Sequence, residues 1–214
     1  LEDRGQLIMA CGTGKTLTSL WIDETLGNDL TLVLVPSLTL LSQLVSEWTA
    51  NSAHGFKFLP VCSDDTVAAK AEDHLAISAA ELAFPVTTDP AEIVEFMKGD
   101  GKRIVFSTYQ SSPRIAEAQQ DESVPAFDIV FADEAHRCAG KISTTYSTVL
   151  DGDTLRADKR LFMTATPRVF TTRVQSKAAE HGVEMASMDD TAVFGPVVDR
   201  ISFAQAINEG MLTD

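Results

Sequence analysis

The sequence predicts an α/β fold in which a mostly parallel central sheet lies between layers of helices. Three observations carry this expectation. Short strand candidates recur along the chain, and several are apolar on both faces, as parallel strands covered on each side must be. Amphipathic helical stretches separate them, and a repeated strand–helix order calls for right-handed crossovers within one sheet. A glycine-rich turn falls where the first strand candidate gives way to the first helical pattern.

In chain order, the strand candidates are residues 7–10, 31–35, 56–61, 103–107, 127–132 and 160–163. Leu17, Leu20 and Trp21 fall at helical spacing after the glycine-rich turn, and Leu41, Leu44, Val45 and Trp48 do so after the second strand. Both tryptophans are expected in the core. Asp89-Pro90-Ala91-Glu92 reads as a helix start: Asp89 caps, Pro90 suits the first turn, and Glu92 stands three residues after the cap. Ile93, Val94, Phe96 and Met97 give that helix its apolar side, and Gly99 suits its end. Residues 62–88, with several acids and alanines, are expected to form a partly helical surface excursion, with Glu72, Asp73 and Glu81 solvated. Arg156 to Arg160 is the densest basic stretch and reads as a solvated turn before a strand.

At 214 residues the chain is long enough for one well-buried core. One domain is expected over residues 1–182, with 183–214 as a terminal element or an exit segment. The absence of an initial methionine suggests a piece of a longer protein. A formal net charge of -14 argues against a wholly basic nucleic-acid-binding module, but permits local backbone contacts from a few donors and main-chain amides. Cys11, Cys62 and Cys138 form no metal-ligand spacing and fit a reducing compartment, the cytoplasm. No 18-residue apolar run suggests a membrane partner.

The chemistry concentrates at two places. In Ala10-Cys11-Gly12-Thr13-Gly14-Lys15-Thr16, the glycines allow a tight turn that exposes successive amides, and the following helix adds free N–H groups. Lys15 can reach β- and γ-phosphates, and the Thr16 hydroxyl can ligate Mg²⁺. The first glycine of the full phosphate-loop pattern would fall at Met9, so that pattern is incompletely met. Asp133 and Glu134 emerge at the end of the 127–132 strand, the edge at which open α/β sheets bind ligands. There Asp133 can hold the metal ion and Glu134 can orient and deprotonate an attacking water. The same two acids are also suited to capping whatever follows. Asp128, at the start of the strand, is given no chemistry.

With these residues in place, the chain resembles the first motor domain of superfamily 2 helicases, close to restriction-enzyme translocases. Ala10 to Thr16 resembles motif I, and Asp133-Glu134-Ala135-His136 is similar to the DEAH form of motif II. Thr164-Ala165-Thr166 resembles motif III, Val35 to Gln43 motif Ia, and Phe106 to Ser111 the Thr-Tyr-Gln segment common in these translocases. The resemblance implies a P-loop, RecA-like three-layer sandwich that binds ATP and Mg²⁺, with a second RecA-like domain elsewhere in the full-length chain. It implies catalytic roles for Lys15, Asp133, Glu134 and His136, and a phosphate loop of Cys11, Gly12, Thr13, Gly14, Lys15 and Thr16. It further implies metal ligation by Thr16 and Asp133 and coupling of hydrolysis to movement through Thr164 and Thr166. Pro36, Ser37, Thr108 and Tyr109 would lie in segments that face the nucleic acid, with double-stranded DNA favoured over RNA; Ser37 is equally suited to capping a helix, and Tyr109 to packing or hydrogen-bonding within the protein. A non-helicase P-loop ATPase or switch, and a non-catalytic nucleotide-binding domain, remain the alternatives from the residues alone.

Overall fold

The computed structural model describes residues 3–63, 82, 84–142 and 144–213. Most of the excursion expected over 62–88, including Glu72, Asp73 and Glu81, lies outside the described residues.

Among the described residues, seven strands form one parallel sheet: β1 (Arg4–Met9), β2 (Leu30–Val35), β3 (Lys57–Val61), β4 (Arg103–Thr108), β5 (Phe127–Ala132), β7 (Ala157–Thr164) and β9 (Val197–Ile201). They lie in the order β3-β4-β2-β5-β7-β1-β9, and all six pairings are parallel. A separate antiparallel ladder joins β6 (Gly140–Lys141) to β8 (Met185–Ala186). Alternation along the buried strands sends side chains into two apolar layers. Leu30, Leu32 and Leu34 face one layer with Val105, Val130 and Phe162; Val33 and Val35 face the other with Phe106, Phe131 and Met163.

Helices cover each layer. On the Val33 side pack α1 (Lys15–Leu26) through Leu20 and α2 (Leu38–Asn51) through Leu41, Leu44, Val45 and Trp48. Trp48 meets Phe106 and Phe131 edge-on, at 5.7 and 5.9 Å between ring centroids. On the Leu32 side lie α3 (Pro90–Met97), bringing Ile93 and Met97, and α4 (Ser112–Ala118), bringing Ile115. A further helix, α5 (Thr172–Glu180), buries none of its residues. Ser37 caps α2 by accepting from the Leu40 amide, and Asp89 caps α3 by accepting from the Ala91 amide. Two layers of helix around a parallel sheet make the three-layer sandwich expected from the sequence.

Three details differ from the sequence reading, each for a physical reason. β1 begins at Arg4 because Gln6 is tolerated in the interior: its amide donates to the carbonyls of Met188 and Gly195 at 2.9 and 2.8 Å. Trp21 is 56% exposed, because the inner face of α1 runs through Ser19, Leu20 and Asp23. Asp23 is admitted there by Thr31, Asn28 and Lys102. Arg156 and Arg160 form no solvated turn. Arg156 donates to the carbonyls of Gln119, Asp121 and Val124, and Arg160, buried within β7, to those of Val149, Leu155 and Ala157. Burial, reinforced by Arg4, pushes the Arg160 pKa down to about 10. The segment 183–214, read from sequence as a terminal element or an exit segment, packs on the main body. Phe194, at the end of α6 (Thr191–Phe194), packs on Phe162, and β9 becomes the edge strand beside β1. After β9, α7 (Phe203–Asn208) ends near the glycine-rich turn, with the Leu212 side chain packed over Gly12.

Candidate nucleotide site

β1, β7 and β5 are adjacent and parallel, so their carboxyl ends lie side by side. The turn after β1 keeps the geometry its glycines allow: Gly12 and Gly14 take φ of 82° and 87°, where an L side chain is strained. Thr13 donates its hydroxyl to the Ala10 carbonyl at 2.7 Å, closing the turn. Cys11 is exposed on it. Gly14 is the cap of α1 and has no side chain to occupy the first amides, so the helix start is left open for an anion. Lys15 opens the helix and Thr16 follows it, half-buried.

Across the edge of β7, Lys15 Nζ lies 3.3 Å from Asp133 Oδ1 and 3.3 Å from Glu134 Oε1. The Asp133 amide still bonds to β2, donating to the Leu34 carbonyl at 2.9 Å. Glu134 then turns out of the strand with φ 48° and ψ 43°; it is the one non-glycine residue with positive φ among the described residues. The turn aims the two neighbouring carboxylates in different directions around one ammonium. Glu134 Oε2 stands 3.3 Å from His136 Nδ1, which also faces Thr164 Oγ1 at 3.0 Å. Thr164 is buried at the end of β7, and its hydroxyl accepts from the Thr166 amide at 3.1 Å. It therefore makes a strand-ending turn and a histidine contact together. Thr166 itself is exposed.

Burial works against the charges here. For Asp133, burial raises the pKa more than Lys15 lowers it, and the net shift is upward. For Lys15, burial pulls downward, but the charges of Asp133 and Glu134 together outweigh it and the net shift is again upward. Both groups hold their protons more firmly than in water, Asp133 because of its burial and Lys15 because of the two carboxylates beside it. Asp133 Oδ1 is buried and, although paired with Lys15 by charge, has no aligned hydrogen bond. Such an oxygen suits a divalent cation. Among the described residues no group of three or more His, Cys, Asp or Glu side chains is placed to hold a metal alone. Burial lowers the pKa of His136, although the charge of Glu134 opposes the shift.

The four positions expected in segments that face nucleic acid lie at the ends of β2 and β4. Pro36, Thr108 and Tyr109 are buried, and Ser37 uses its hydroxyl to cap α2. Tyr109 Oη donates to the Asp133 carbonyl at 2.7 Å. The Thr-Tyr-Gln segment thus lies at the expected sheet edge with its aromatic side chain turned inward. Two partners were not readable from sequence. Hydrogen bonding of Tyr109 within the protein was one of its two readings, but its acceptor, the Asp133 carbonyl, had no local signal. Leu212 over Gly12 was signalled only by the apolar positions of the 201–212 segment. Asp128 accepts from the amides of Asp29 and Leu30, each at 2.8 Å, and so anchors the start of β2 at the far end of the sheet.

Comparison with known proteins places these features among relatives. Residues 1–169 match the family described as type III restriction enzyme, res subunit. A probable helicase of African swine fever virus is 29% identical over 212 residues, covering 99% of this chain and 21% of the viral protein. The ATP-dependent type ISP restriction-modification enzyme LlaBIII, solved bound to DNA, is 35% identical with a TM-score of 0.78 over 99% of this chain and 15% of its own. A nuclease-deletion mutant of the type ISP enzyme LlaGI, in complex with a DNA substrate mimic, is 35% identical with a TM-score of 0.75. The alignment covers 99% of this chain and 16% of the LlaGI chain. The chain therefore spans about a fifth or less of the length of these relatives.

Proposed function

The chain belongs to the type III restriction enzyme res subunit family, and from that membership we propose that it is the ATP-binding half of a nucleic-acid-dependent ATPase, a helicase or double-stranded DNA translocase. The observation that carries this reading is the meeting of Lys15 with Asp133 and Glu134 at one sheet edge, 3.3 Å from each. In it, the turn from Cys11 to Gly14 cradles the phosphates with its amides, and Lys15 exchanges its carboxylate contacts for the β- and γ-phosphates. Thr16 and Asp133 would hold Mg²⁺, which would supply charge neutralisation at the transferring phosphoryl group. Glu134 accepts a proton as a water oxygen bonds to the γ-phosphorus and the bond to the β–γ bridging oxygen breaks, leaving ADP and phosphate. His136 and Thr164 carry the state of Glu134 to the turn that ends in Thr166, and from there to movement.

A second RecA-like domain of the full-length chain would close over the nucleotide and supply the remaining positive charge. The DNA-bound state of LlaBIII supports DNA as the polymer, and the kinship with restriction enzymes favours a duplex. Main-chain groups at the ends of β2 and β4 are the proposed contacts, since the side chains of Pro36, Thr108 and Tyr109 are buried and that of Ser37 is used as a cap. Cysteines that form no disulfide support a cytoplasmic setting, and among the described residues no helix is long and apolar enough to cross a membrane. The test is nucleotide binding and steady-state ATP hydrolysis by the full-length protein with and without DNA, repeated with Glu134→Gln. The variant should bind ATP normally and lose roughly 10²- to 10⁴-fold in turnover. Unimpaired turnover would remove Glu134 from the role of base, and turnover indifferent to nucleic acid would remove the motor reading.

A further inference from the structure

We propose that Tyr109 is a positioning residue for Glu134, acting through the peptide bond between Asp133 and Glu134. This inference rests on the reading of Lys15, Asp133 and Glu134 as a hydrolytic site. Tyr109 follows directly on β4, and β2 lies between β4 and β5, so its side chain reaches past β2 to the end of β5. The ring is fully buried, and its hydroxyl donates to the Asp133 carbonyl at 2.7 Å. That carbonyl and the Glu134 amide belong to the same planar unit, so holding one fixes the orientation of the other.

Glu134 needs such a restraint. Its left-handed backbone is one that L residues enter at a cost and keep only where the surroundings impose it. Asp133 is held from both sides: its amide by Leu34 on β2, its carbonyl by Tyr109. If the carbonyl were released, the peptide could rotate toward an ordinary backbone conformation. The Glu134 carboxylate would then swing away from Lys15 and His136, each now 3.3 Å from it. Tyr109 is braced in turn. Its ring packs 5.1 Å from that of Tyr146 and Ser112 donates to its carbonyl at 2.8 Å; the Tyr146 hydroxyl, which accepts from Gln110 at 2.9 Å, is no part of this brace.

The test is Tyr109→Phe in the full-length protein, which keeps the ring and removes the hydroxyl, the partner of the Asp133 carbonyl and of the Cys138 thiol. One neutral hydrogen bond corresponds to a fall in kcat of roughly 3- to 10-fold. The KM for ATP should stay within about twofold, because the phosphate loop is untouched. In a Glu134→Gln background the same change should leave the residual rate where it was, since the group being positioned is already gone. Tyr146→Phe, which frees Gln110 and leaves the Tyr109 hydroxyl bonded, should leave kcat unchanged. The positioning role is overturned if folded Tyr109→Phe hydrolyses ATP at the unmodified rate. It is equally overturned if Tyr109→Phe costs the same factor in the Glu134→Gln background, so that the two losses simply multiply, or if Tyr146→Phe loses as much. No hydrolysis by the unmodified protein would overturn the reading of the site as well, so the two failures are told apart.

Discussion

Replacing Lys15 with methionine keeps an unbranched side chain, one atom shorter, and removes its charge. The Lys15 side chain is 12% exposed and that of Asp133 11%, so water cannot take over the lost contact at Asp133. Glu134, at 25%, can recover part of its hydration. Removing one partner of a buried ion pair costs about 3–5 kcal/mol, and the partial exposure of Glu134 places Lys15→Met nearer to about 2–3 kcal/mol. In a domain of this size that corresponds to a Tm lower by roughly 5–10 °C. Urea is the denaturant to use, because guanidinium would screen the charges under study. The loss should depend on pH in a defined direction. A carboxyl whose folded pKa is raised, as burial raises that of Asp133, favours the fold fully below the ordinary carboxylate range, and this contribution is lost as pH rises through the folded value. The deficit of Lys15→Met should therefore be largest at neutral pH and shrink on acidification. Adding Asp133→Asn should return most of the lost stability. Equal stability of Lys15→Met and the unmodified protein, or a double variant weaker than the single one, would refute the argument.

Three further outcomes follow from other parts of the molecule. Thiol labelling of the native protein should show one fast group, Cys11, slowed by bound nucleotide; Cys62 is buried, and burial pushes the Cys138 thiol up to about 12, so both should react only on unfolding. Gly195→Ala should cost more than about 3 kcal/mol by urea unfolding, because at φ 74° its added carbon would collide with the Arg4 backbone, where no flexible side chain can yield. Thr164→Val preserves shape but strips the partner from the Thr166 amide and from His136, so it should lower stability by about 1–3 kcal/mol and reduce DNA movement more than ATP hydrolysis.

Much of this was legible in the sequence because the strands around the site are two-sided apolar runs, and the residues at their ends are polar in a fixed order. Phe127 to Ala132 could hardly be anything but a covered strand, and Asp133 then had to emerge at its end. The phosphate turn was readable for the same local reason. What was not readable depended on partners distant in sequence. Gln6 looks like a residue outside a strand until the carbonyls of Met188 and Gly195 arrive to satisfy it. Arg156 and Arg160 look solvated until the loops before them turn their carbonyls inward. The direction of Tyr109 followed from a bond to a main-chain oxygen, which no pattern of residue types announces. Trp21 defeats an apolar count because Asp23, once it meets Thr31 and Lys102, can share the inner face of the helix and turn the indole outward.

The place of β1 in the sheet has a consequence for how the protein assembles. Residues 4–8 pair with 160–164, and residues 6–9 pair with 197–201. The strand that carries the phosphate turn is thus synthesised well before either neighbour and finds them last. Contacts so remote along the chain are slow to form, because a long loop must close before they return any free energy. During synthesis, β2, β4 and β5 have one another to join while Leu7, Ile8 and Met9 wait as an exposed apolar segment. Nucleotide-binding competence should consequently appear late in refolding, after most helical signal has returned, and the waiting segment is where a chaperone would find its grip.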